Sequence, residues 1–275
     1  MVQGFISRQV LAEAAIALAE TSDTPRLDAE LLMAHALGTS REDLLLRHLD
    51  DPAPAAFDAL LARRLAHEPI AYITGTRAFW TIDLAVGPGV LIPRADSETL
   101  IEAAIDHFGA GGPAAILDLG TGPGTLLLAA LAQWPDATGL GIDKSAAALA
   151  MAKANADQLG LTDRATFRPG DWASGVAQRF DLVLCNPPYI GASEHLPLDV
   201  AAYEPHEALF AGPDGLDDYR IIIPQLSSLL KPGGLAALEI GHRQAEAVSA
   251  MVAGVGMTAS LRHDLAGRPR AIIAR

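Results

Sequence analysis

The chain has 275 residues, half of them hydrophobic, which is enough to bury one large core or two modest ones. It carries 33 acidic and 20 basic residues, a net charge of −13. This balance disfavours a protein that holds nucleic acid through phosphates, because such proteins need a basic surface. The single cysteine, Cys185, excludes an internal disulfide. We find no secretory pattern, no apolar run of about 18 residues and no zinc-type spacing, so we expect a cytoplasmic protein without a membrane segment or a metal.

Residues 1–70 are predicted to form a small helical bundle. Apolar residues recur at helical spacing in four segments, residues 7–18, 27–37, 40–49 and 55–66. Ser7 and Ser40 are predicted helix caps, and Gly38 is a predicted helix stop. No catalytic pattern lies here, so we expect a substrate-recognition domain, or else a cap that only stabilises the fold.

The rest of the chain changes character twice. Residues 71–92 mix aromatic and β-branched residues with glycines, which predicts a hairpin linker. From residue 93 to residue 275, strands and helices alternate, which predicts a doubly wound α/β sheet of Rossmann type. The predicted strands are Ala115–Leu119, Thr138–Ile142, Ala165–Arg168, Asp181–Cys185, Leu235–Ile240, Thr258–Arg262 and Ala271–Ala274. The predicted helices are Ser97–Phe108, Thr125–Gln133, Ser145–Leu159 and Tyr219–Leu230.

A glycine-rich turn follows the first strand of this sheet. NAD, FAD and S-adenosylmethionine folds all use such a turn, in which the glycines allow close approach of a ligand. Here the third glycine comes one residue too early for the dinucleotide pattern G-x-G-x-x-G. The pattern D-x-G-x-G-x-G is instead typical of Rossmann-like S-adenosylmethionine enzymes. The predicted cofactor-binding residues of the turn are Asp118, Gly120, Thr121, Gly122, Pro123 and Gly124.

Three further residues follow the next two strands. Asp143 ends the second strand, where a carboxylate can accept hydrogen bonds from both hydroxyls of a ribose. Asp171 and Trp172 follow the third strand and are predicted to hydrogen-bond and stack on an adenine. Each also has a structural interpretation, since Asp118 can cap the turn, Asp143 can cap a helix and Trp172 can belong to the core.

The fourth strand ends in Asn186-Pro-Pro-Tyr189, the most informative stretch of the chain. Pro187 and Pro188 stiffen the turn, and the Asn186 carboxamide offers one acceptor and two donors. Tyr189 adds a flat aromatic face. These four residues predict a pocket for a planar group that carries an NH₂, such as an amide or a nucleobase. The alternative is an ordinary strand followed by a Pro-Pro loop.

Taken together, these motifs resemble the protein-(glutamine-N5) methyltransferases that modify peptide chain release factors. The resemblance covers nearly the whole chain. Two segments restrict it to the glutamine methyltransferases and not to the nucleic-acid methyltransferases, namely Leu91-Ile-Pro-Arg94 and Tyr203-Glu-Pro-His-Glu-Ala-Leu209. Two departures are visible, since Pro123 stands where the family often has Ser or Thr and Ala95 where it often has Pro. Pro123 removes one backbone N–H donor from the cofactor turn.

The resemblance implies methyl transfer from S-adenosyl-L-methionine to the Gly-Gly-Gln glutamine of class I release factors, leaving S-adenosyl-L-homocysteine. Asn186 and the Pro187 carbonyl would accept the amide hydrogens, Tyr189 would pack on the amide plane, and Asn186 would also border the cofactor. Glu98 and Glu204 either shape the pocket or pair with nearby helices. We expect a monomer that binds release factors and no nucleic acid. The alternatives are an adenine-N6 or guanine-N2 nucleic-acid methyltransferase, a glutamine methyltransferase of a ribosomal protein, and a nucleotide-binding or NAD-dependent protein.

Overall fold

The computed structural model describes residues 6–275, which form two compact units. The helical unit comprises the described residues up to Thr76 together with Leu196–Tyr203. The sheet unit comprises Arg77–His195 and Glu204–Arg275. Among residues 6–275, no helix combines the length and the apolar character needed to cross a membrane.

The helical unit buries the apolar faces of short helices around Leu11, Leu32 and Phe57. Its α-helices are Ser7–Ala17, Pro25–Leu37, Arg41–Arg47, Ala56–Leu65, Ile70–Thr74 and Leu198–Tyr203, with a 3₁₀ turn at Leu18–Glu20. The last α-helix lies far from the others in the chain, and the sequence patterns do not indicate that it belongs to this unit.

Two of the three predicted helix ends are confirmed. The Ser40 hydroxyl accepts a hydrogen bond from the Asp43 N–H, and Gly38 ends its helix with a φ of 66°. The cap predicted at Ser7 is wrong. Ser7 is already the first helical residue, and its hydroxyl donates to the Asp51 carbonyl at 3.1 Å. A long-range partner therefore replaces the local capping bond.

A two-stranded hairpin lies within the predicted linker. Its strands are β1 (Thr76–Phe79) and β2 (Ile82–Ala85). The preceding residues Ile70–Thr74 are helical, so the hairpin is shorter than the linker predicted over residues 71–92.

A seven-stranded sheet confirms the predicted doubly wound α/β fold. Its strands are β3 (Ala115–Leu119), β4 (Thr138–Asp143), β5 (Ala165–Pro169), β6 (Phe180–Cys185), β7 (Leu230–Glu239), β8 (Ala259–His263) and β9 (Pro269–Ala274). The order is β5-β4-β3-β6-β7-β9-β8. The first five strands of that order are parallel, and β9 pairs with its neighbours in the antiparallel sense.

Helices cover both faces of this sheet. The α-helices of the unit are Glu98–Phe108, Thr125–Gln133, Ala146–Gln158, Asp217–Ile222, Leu226–Leu229 and Ala245–Gly254, and the 3₁₀ turns are Ala95–Ser97, Gly109–Gly111, His206–Ala208 and Ile223–Gln225. In β6, Leu182 and Leu184 belong to one buried cluster, whereas Val183 and Cys185 belong to another. This alternation shows a strand with a core on each face.

One predicted helix differs from the structure. The segment Tyr219–Leu230 is broken into Asp217–Ile222, a 3₁₀ turn at Ile223–Gln225 and the short helix Leu226–Leu229. Pro224 lies in the turn, and it cannot donate the backbone hydrogen bond that a continuous helix needs. Strand β7 then begins at Leu230, five residues before its predicted start.

Candidate active site

A cleft opens where the parallel strands end, with about 980 Å³ of empty space including its open mouth. All its lining residues belong to the sheet unit. The predicted residues that line it are Asp118, Gly120, Thr121, Gly122, Pro123, Asp143, Asp171, Trp172, Asn186 and Pro188. Gly124, Pro187 and Tyr189 are not part of the lining. Among the described residues, no group of three His, Cys, Asp or Glu side chains is arranged to hold a metal ion.

The glycine turn after β3 depends on left-handed backbone at two crowded positions. Gly120 has a φ of 69°, and a Cβ there would lie 3.1 Å from the Trp172 ring. Gly124 has a φ of 89°, and a Cβ there would lie 2.7 Å from Leu128 Cδ1. Gly120 therefore keeps the turn close to Trp172 at the cleft, whereas Gly124 lets the helix Thr125–Gln133 pack tightly.

Pro123 occupies the same turn and is buried. Its carbonyl accepts a hydrogen bond from Asn155 Nδ2 at 2.8 Å, and Asn155 also binds both backbone groups of Ala85. The proline ring lines the cleft without an N–H to offer a ligand. The turn is thus held by Asn155, which binds the Pro123 carbonyl, and by the N–H groups of Gly120 and Thr121, which donate to the Ile142 carbonyl.

Asp118 is buried beneath this turn and has an incomplete set of partners. Its Oδ2 accepts from Thr121 Oγ1 at 2.6 Å and from the Leu127 N–H at 3.2 Å. Its Oδ1 is buried without a hydrogen-bond partner. Burial raises the pKa of Asp118 to about 7, against the lowering effect of the two hydrogen bonds. The predicted capping role is therefore present, and cofactor binding by Asp118 stays a prediction.

Asp143 ends β4, at the rim of the cleft. Its Oδ2 accepts from the Gly122 N–H at 2.9 Å and its Oδ1 from the Ser145 N–H at 2.8 Å. The cap of the following helix is Ser145, whose hydroxyl accepts from Ala148 N. Each carboxylate oxygen has a further lone pair. Binding of both hydroxyls of a ribose stays a prediction.

Asp171 and Trp172 follow β5 and reach the cleft wall together. Asp171 is exposed, whereas Trp172 is half-buried, has a φ of 48° and also packs against the core. Trp172 thus combines the core role with a place at the cleft, and adenine stacking stays a prediction.

The Asn186 turn directly follows β6. Asn186 Nδ2 donates to Ser97 Oγ at 3.1 Å, and its Oδ1 has no partner among the described residues. Pro187 is buried behind the cleft surface, and the Tyr189 hydroxyl donates to Glu239 Oε1 at 3.3 Å. Burial raises the pKa of Tyr189, so its hydroxyl keeps the proton that it donates. Packing of Tyr189 on a substrate amide stays a prediction.

Ser97 and Glu239 are two buried residues that sequence reasoning missed. Ser97 Oγ donates to Glu239 Oε2 at 2.5 Å, and Tyr219 donates to the backbone carbonyl of Glu239 at 2.6 Å. Burial raises the pKa of Glu239 to about 7. Because 142 residues separate Ser97 from Glu239, no local spacing could have indicated this pair.

Glu98 and Glu204 both accept backbone hydrogen bonds. Glu98 Oε1 accepts from the Trp80 N–H at 2.9 Å and does not line the cleft. Glu204 is buried, accepts from the Ile92 N–H at 3.0 Å and pairs with Arg94, which lines the cleft. Glu98 therefore anchors the hairpin, whereas Glu204 holds one wall of the cleft.

Ala95, the second departure from the family pattern, begins the 3₁₀ turn Ala95–Ser97. It is exposed and does not line the cleft. Its position therefore affects the site only through the backbone that leads to Ser97.

Comparisons with known proteins agree with this fold. Residues 113–260 match the family described as "Methyltransferase domain", and residues 9–75 match the "PrmC N-terminal domain". The T. thermophilus 16S rRNA methyltransferase solved with AdoMet and guanosine superposes with a TM-score of 0.53 and 18% identity, over 73% of this chain and 49% of that chain. The fold and the family match define the chain as a methyltransferase.

Two curated relatives give the family. The release factor glutamine methyltransferase of Rhodospirillum rubrum is 45% identical over 92% of this chain and 79% of its own length. That of Caulobacter vibrioides is 42% identical over 86% of this chain and 84% of its own length. The chain belongs to the release factor glutamine methyltransferase family. Membership does not favour the alternative of a nucleic-acid methyltransferase.

Proposed function

We propose that this protein transfers a methyl group from S-adenosyl-L-methionine to the side-chain nitrogen of the Gly-Gly-Gln glutamine in class I peptide chain release factors. The observation that carries the proposal is the Asn186 carboxamide. Its nitrogen is committed to Ser97, which leaves its oxygen as a free acceptor at a cleft beside a glycine turn. An acceptor at this place suits a substrate group that carries N–H bonds.

The cleft fits the proposed cofactor in charge and in shape. The buried Oδ1 of Asp118 lacks a donor, and Asp143 and Asp171 place two more carboxyl groups on the cleft wall. The ammonium and sulfonium groups of S-adenosylmethionine would offset this negative charge. Gly122 leaves open space at the turn, since a Cβ there would meet nothing within 4 Å. We assign cofactor binding to Asp143, Asp171, Trp172 and Asn186 and to the turn residues Asp118, Gly120, Thr121, Gly122, Pro123 and Gly124.

S-adenosylmethionine, when bound, supplies a methyl group already activated by the sulfonium charge. The chain has to orient a poor nucleophile, because the lone pair of an amide nitrogen is delocalised into the carbonyl. Asn186 Oδ1 and the Pro187 carbonyl would accept the two N–H bonds of the glutamine, with Pro188 and Tyr189 completing the pocket. Orientation of this kind contributes up to roughly 7–11 kcal/mol in favourable cases. Two fixed acceptors also stabilise positive charge that develops on the nitrogen.

The proton that leaves the nitrogen needs no strong base. Once the methyl group had left the sulfonium sulfur for the amide nitrogen, that nitrogen would carry a positive charge and its N–H would be acidic. The acceptors that held the amide then lie next to the departing proton. Solvent at the open mouth of the cleft completes the transfer.

Mass spectrometry tests the proposed substrate directly. A release factor is incubated with the protein and S-adenosylmethionine, and the Gly-Gly-Gln peptide is then analysed. We expect a gain of one methyl group on the glutamine, and none when the glutamine is replaced by asparagine. The proposal would be contradicted if a ribosomal protein or an RNA gained the methyl group while the release factor did not.

We also propose that the helical unit docks the release factor. Ile16 and Leu46 are large apolar residues of this unit that remain 77% and 79% exposed. Replacing both with serine should raise the KM for the whole release factor and leave the KM for a short Gly-Gly-Gln peptide unchanged. If the variant and the wild type had the same KM for the whole release factor, the docking role would be contradicted.

A further inference from the structure

A chain of hydrogen bonds runs from the cleft into the core of the sheet unit. Asn186 Nδ2 lies 3.1 Å from Ser97 Oγ, which lies 2.5 Å from Glu239 Oε2. Ser97 is 2% exposed and Glu239 is 1% exposed, so water does not compete for these bonds. These hydrogen bonds link the residue assigned to the substrate, through Ser97 in the cleft lining, with a carboxyl group that is not itself part of the lining.

The chemistry of the three groups decides which of them donates and which accepts in each hydrogen bond. An ionised carboxylate only accepts hydrogen bonds, so the single hydroxyl hydrogen of Ser97 must point to Glu239. Ser97 can then only accept from its other neighbour. The NH₂ group of Asn186, and not its carbonyl, must therefore face Ser97. A buried carboxylate thus decides the orientation of an amide whose two ends have nearly the same shape.

We propose that Glu239 and Ser97 are positioning residues, which hold the Asn186 carboxamide with its oxygen toward the cleft. This inference rests on the proposed function for its effect on catalysis. If the amide rotated by half a turn, its NH₂ group would face the N–H bonds of the substrate. Donor would then oppose donor, and the substrate amide would lose the acceptor that aligns it.

The charge state of Glu239 is set by the groups that surround it. Burial raises its pKa to about 7, whereas the Ser97 hydrogen bond, the charge of Arg270 and the Tyr189 hydroxyl lower it, and Asp96 raises it. Tyr219 donates to its backbone carbonyl. A protonated Glu239 could donate to Ser97, which would free the serine hydrogen for the Asn186 oxygen. At low pH, protonation of Glu239 should therefore exchange donor and acceptor in the hydrogen bonds from Glu239 through Ser97 to Asn186.

A double-mutant cycle separates positioning from packing. Ser97→Ala and Glu239→Leu, which leaves Ser97 no acceptor at position 239, should each lower kcat about 10-fold, with the KM for S-adenosylmethionine changed less than about 2-fold. In an Asn186→Ala background, the same two substitutions should have almost no further effect on kcat, because they act through Asn186. Additive losses in the double variants would overturn the proposal.

The dependence of kcat on pH is a second, independent test of the role of Glu239. At saturating cofactor, the kcat of the wild type should fall as pH decreases through about 7, where Glu239 gains a proton. Glu239→Gln should lack this decrease, because its amide does not titrate. The same decrease in the variant would assign the titration to another group and overturn the role of Glu239.

Tyr219→Phe is the matched control for the loss of a buried hydroxyl beside Glu239. Its hydroxyl donates to the Glu239 carbonyl and is not part of the chain to Asn186. We expect a lower Tm with kcat unchanged. A kcat loss equal to that of Ser97→Ala would show that packing, and not orientation, governs the rate.

The orientation can also be measured without catalysis. The side-chain NH₂ signals of Asn186 are assigned from their loss in Asn186→Asp. In the wild type these protons should exchange slowly with solvent, and Ser97→Ala should make them exchange at least about 10-fold faster. Equal exchange rates would overturn the proposal even if the enzyme methylates release factors. Slow exchange in a protein that never methylates glutamine would contradict only the proposed function.

Discussion

The two units of the molecule differ in whether their buried carboxylates are paired with an arginine or lysine. In the helical unit, Asp28 binds Arg64 at 2.8 Å and Glu30 binds Arg26 and Arg41 at 2.6 and 2.8 Å. In the sheet unit, buried Glu204 pairs with Arg94, but Asp118 and Glu239 are buried with no arginine or lysine in hydrogen-bond contact.

The difference distinguishes the carboxylates that are paired with arginine from the two for which we propose a functional role. Among the described residues, the buried side-chain atoms without a hydrogen-bond partner are Asp118 Oδ1 and Arg270 Nε, and both belong to the sheet unit. A raised pKa near 7 accompanies burial at Asp118 and at Glu239. Proteins usually pair buried charges, so an unpaired carboxylate beside a cleft indicates a group reserved for a ligand or for a mechanism.

Loss of a paired charge in the helical unit should have the largest effect. Arg64→Ala leaves Asp28 buried without its countercharge, and we expect the free energy of unfolding to fall by about 3–5 kcal/mol. Denaturant unfolding followed by circular dichroism measures this. Arg8→Ala, which removes an exposed pair with Asp50, is the control and should produce roughly a quarter of that change or less. Equal effects would remove the distinction between buried and exposed pairs.

Loss of the proposed acceptor in the sheet unit should act on rate and not on stability. Asn186→Ala should lower kcat about 100-fold or more, because the substrate amide loses its alignment. Cofactor affinity, measured by calorimetry with S-adenosylhomocysteine, should stay within about 3-fold of the wild type. Turnover near the wild-type value would refute the role of Asn186.

Loss of the unpaired charge at Asp118 should have smaller, opposite effects on affinity and stability. Its folded pKa is about 7, above the unfolded value of about 3.9, so its contribution to the free energy of unfolding becomes less favourable between about pH 4 and 7. Without cofactor at pH 8, Asp118→Asn should therefore raise the Tm by a few degrees. Cofactor affinity should fall about 10-fold, because the cation loses its carboxylate.

The effect of Asp118→Asn on stability can be checked with the cofactor-free protein at two pH values. Thermal unfolding at pH 5 and at pH 8 should show a larger gain in Tm at the higher pH. A gain that is equal at both pH values, or a lower Tm at pH 8, would show that Asp118 is adequately paired in the cofactor-free protein.

The sequence predicts the elements that depend on local pattern. Thr125–Gln133 is found with the predicted bounds, and β3 matches in the same way, because glycines and apolar spacing mark their ends. The glycine turn and Asn186 reach one cleft, since parallel strands place their carboxyl ends at the same edge. The predictions are wrong where a distant residue determines the hydrogen bonding, as at Ser7, whose hydroxyl donates to the Asp51 carbonyl instead of capping a helix.

Contacts between distant residues could not be predicted in this way. Leu198–Tyr203 joins the helical unit although about 120 residues separate it from Thr76, and its sequence does not carry that information. The hydrogen bonds from Asn186 through Ser97 to Glu239 join three segments that are distant in the sequence. A serine before a helix and a glutamate ending a strand are each common, so neither residue is conspicuous alone.

A crystal structure with S-adenosylhomocysteine and a Gly-Gly-Gln peptide tests the central claim most directly. We expect the glutamine side-chain nitrogen about 2.9 Å from Asn186 Oδ1, within hydrogen-bonding range. The same nitrogen should face the sulfur of the bound product, while Asn186 Nδ2 stays on Ser97. A glutamine bound elsewhere, or an Asn186 that offers its NH₂ group to the substrate, would contradict the account.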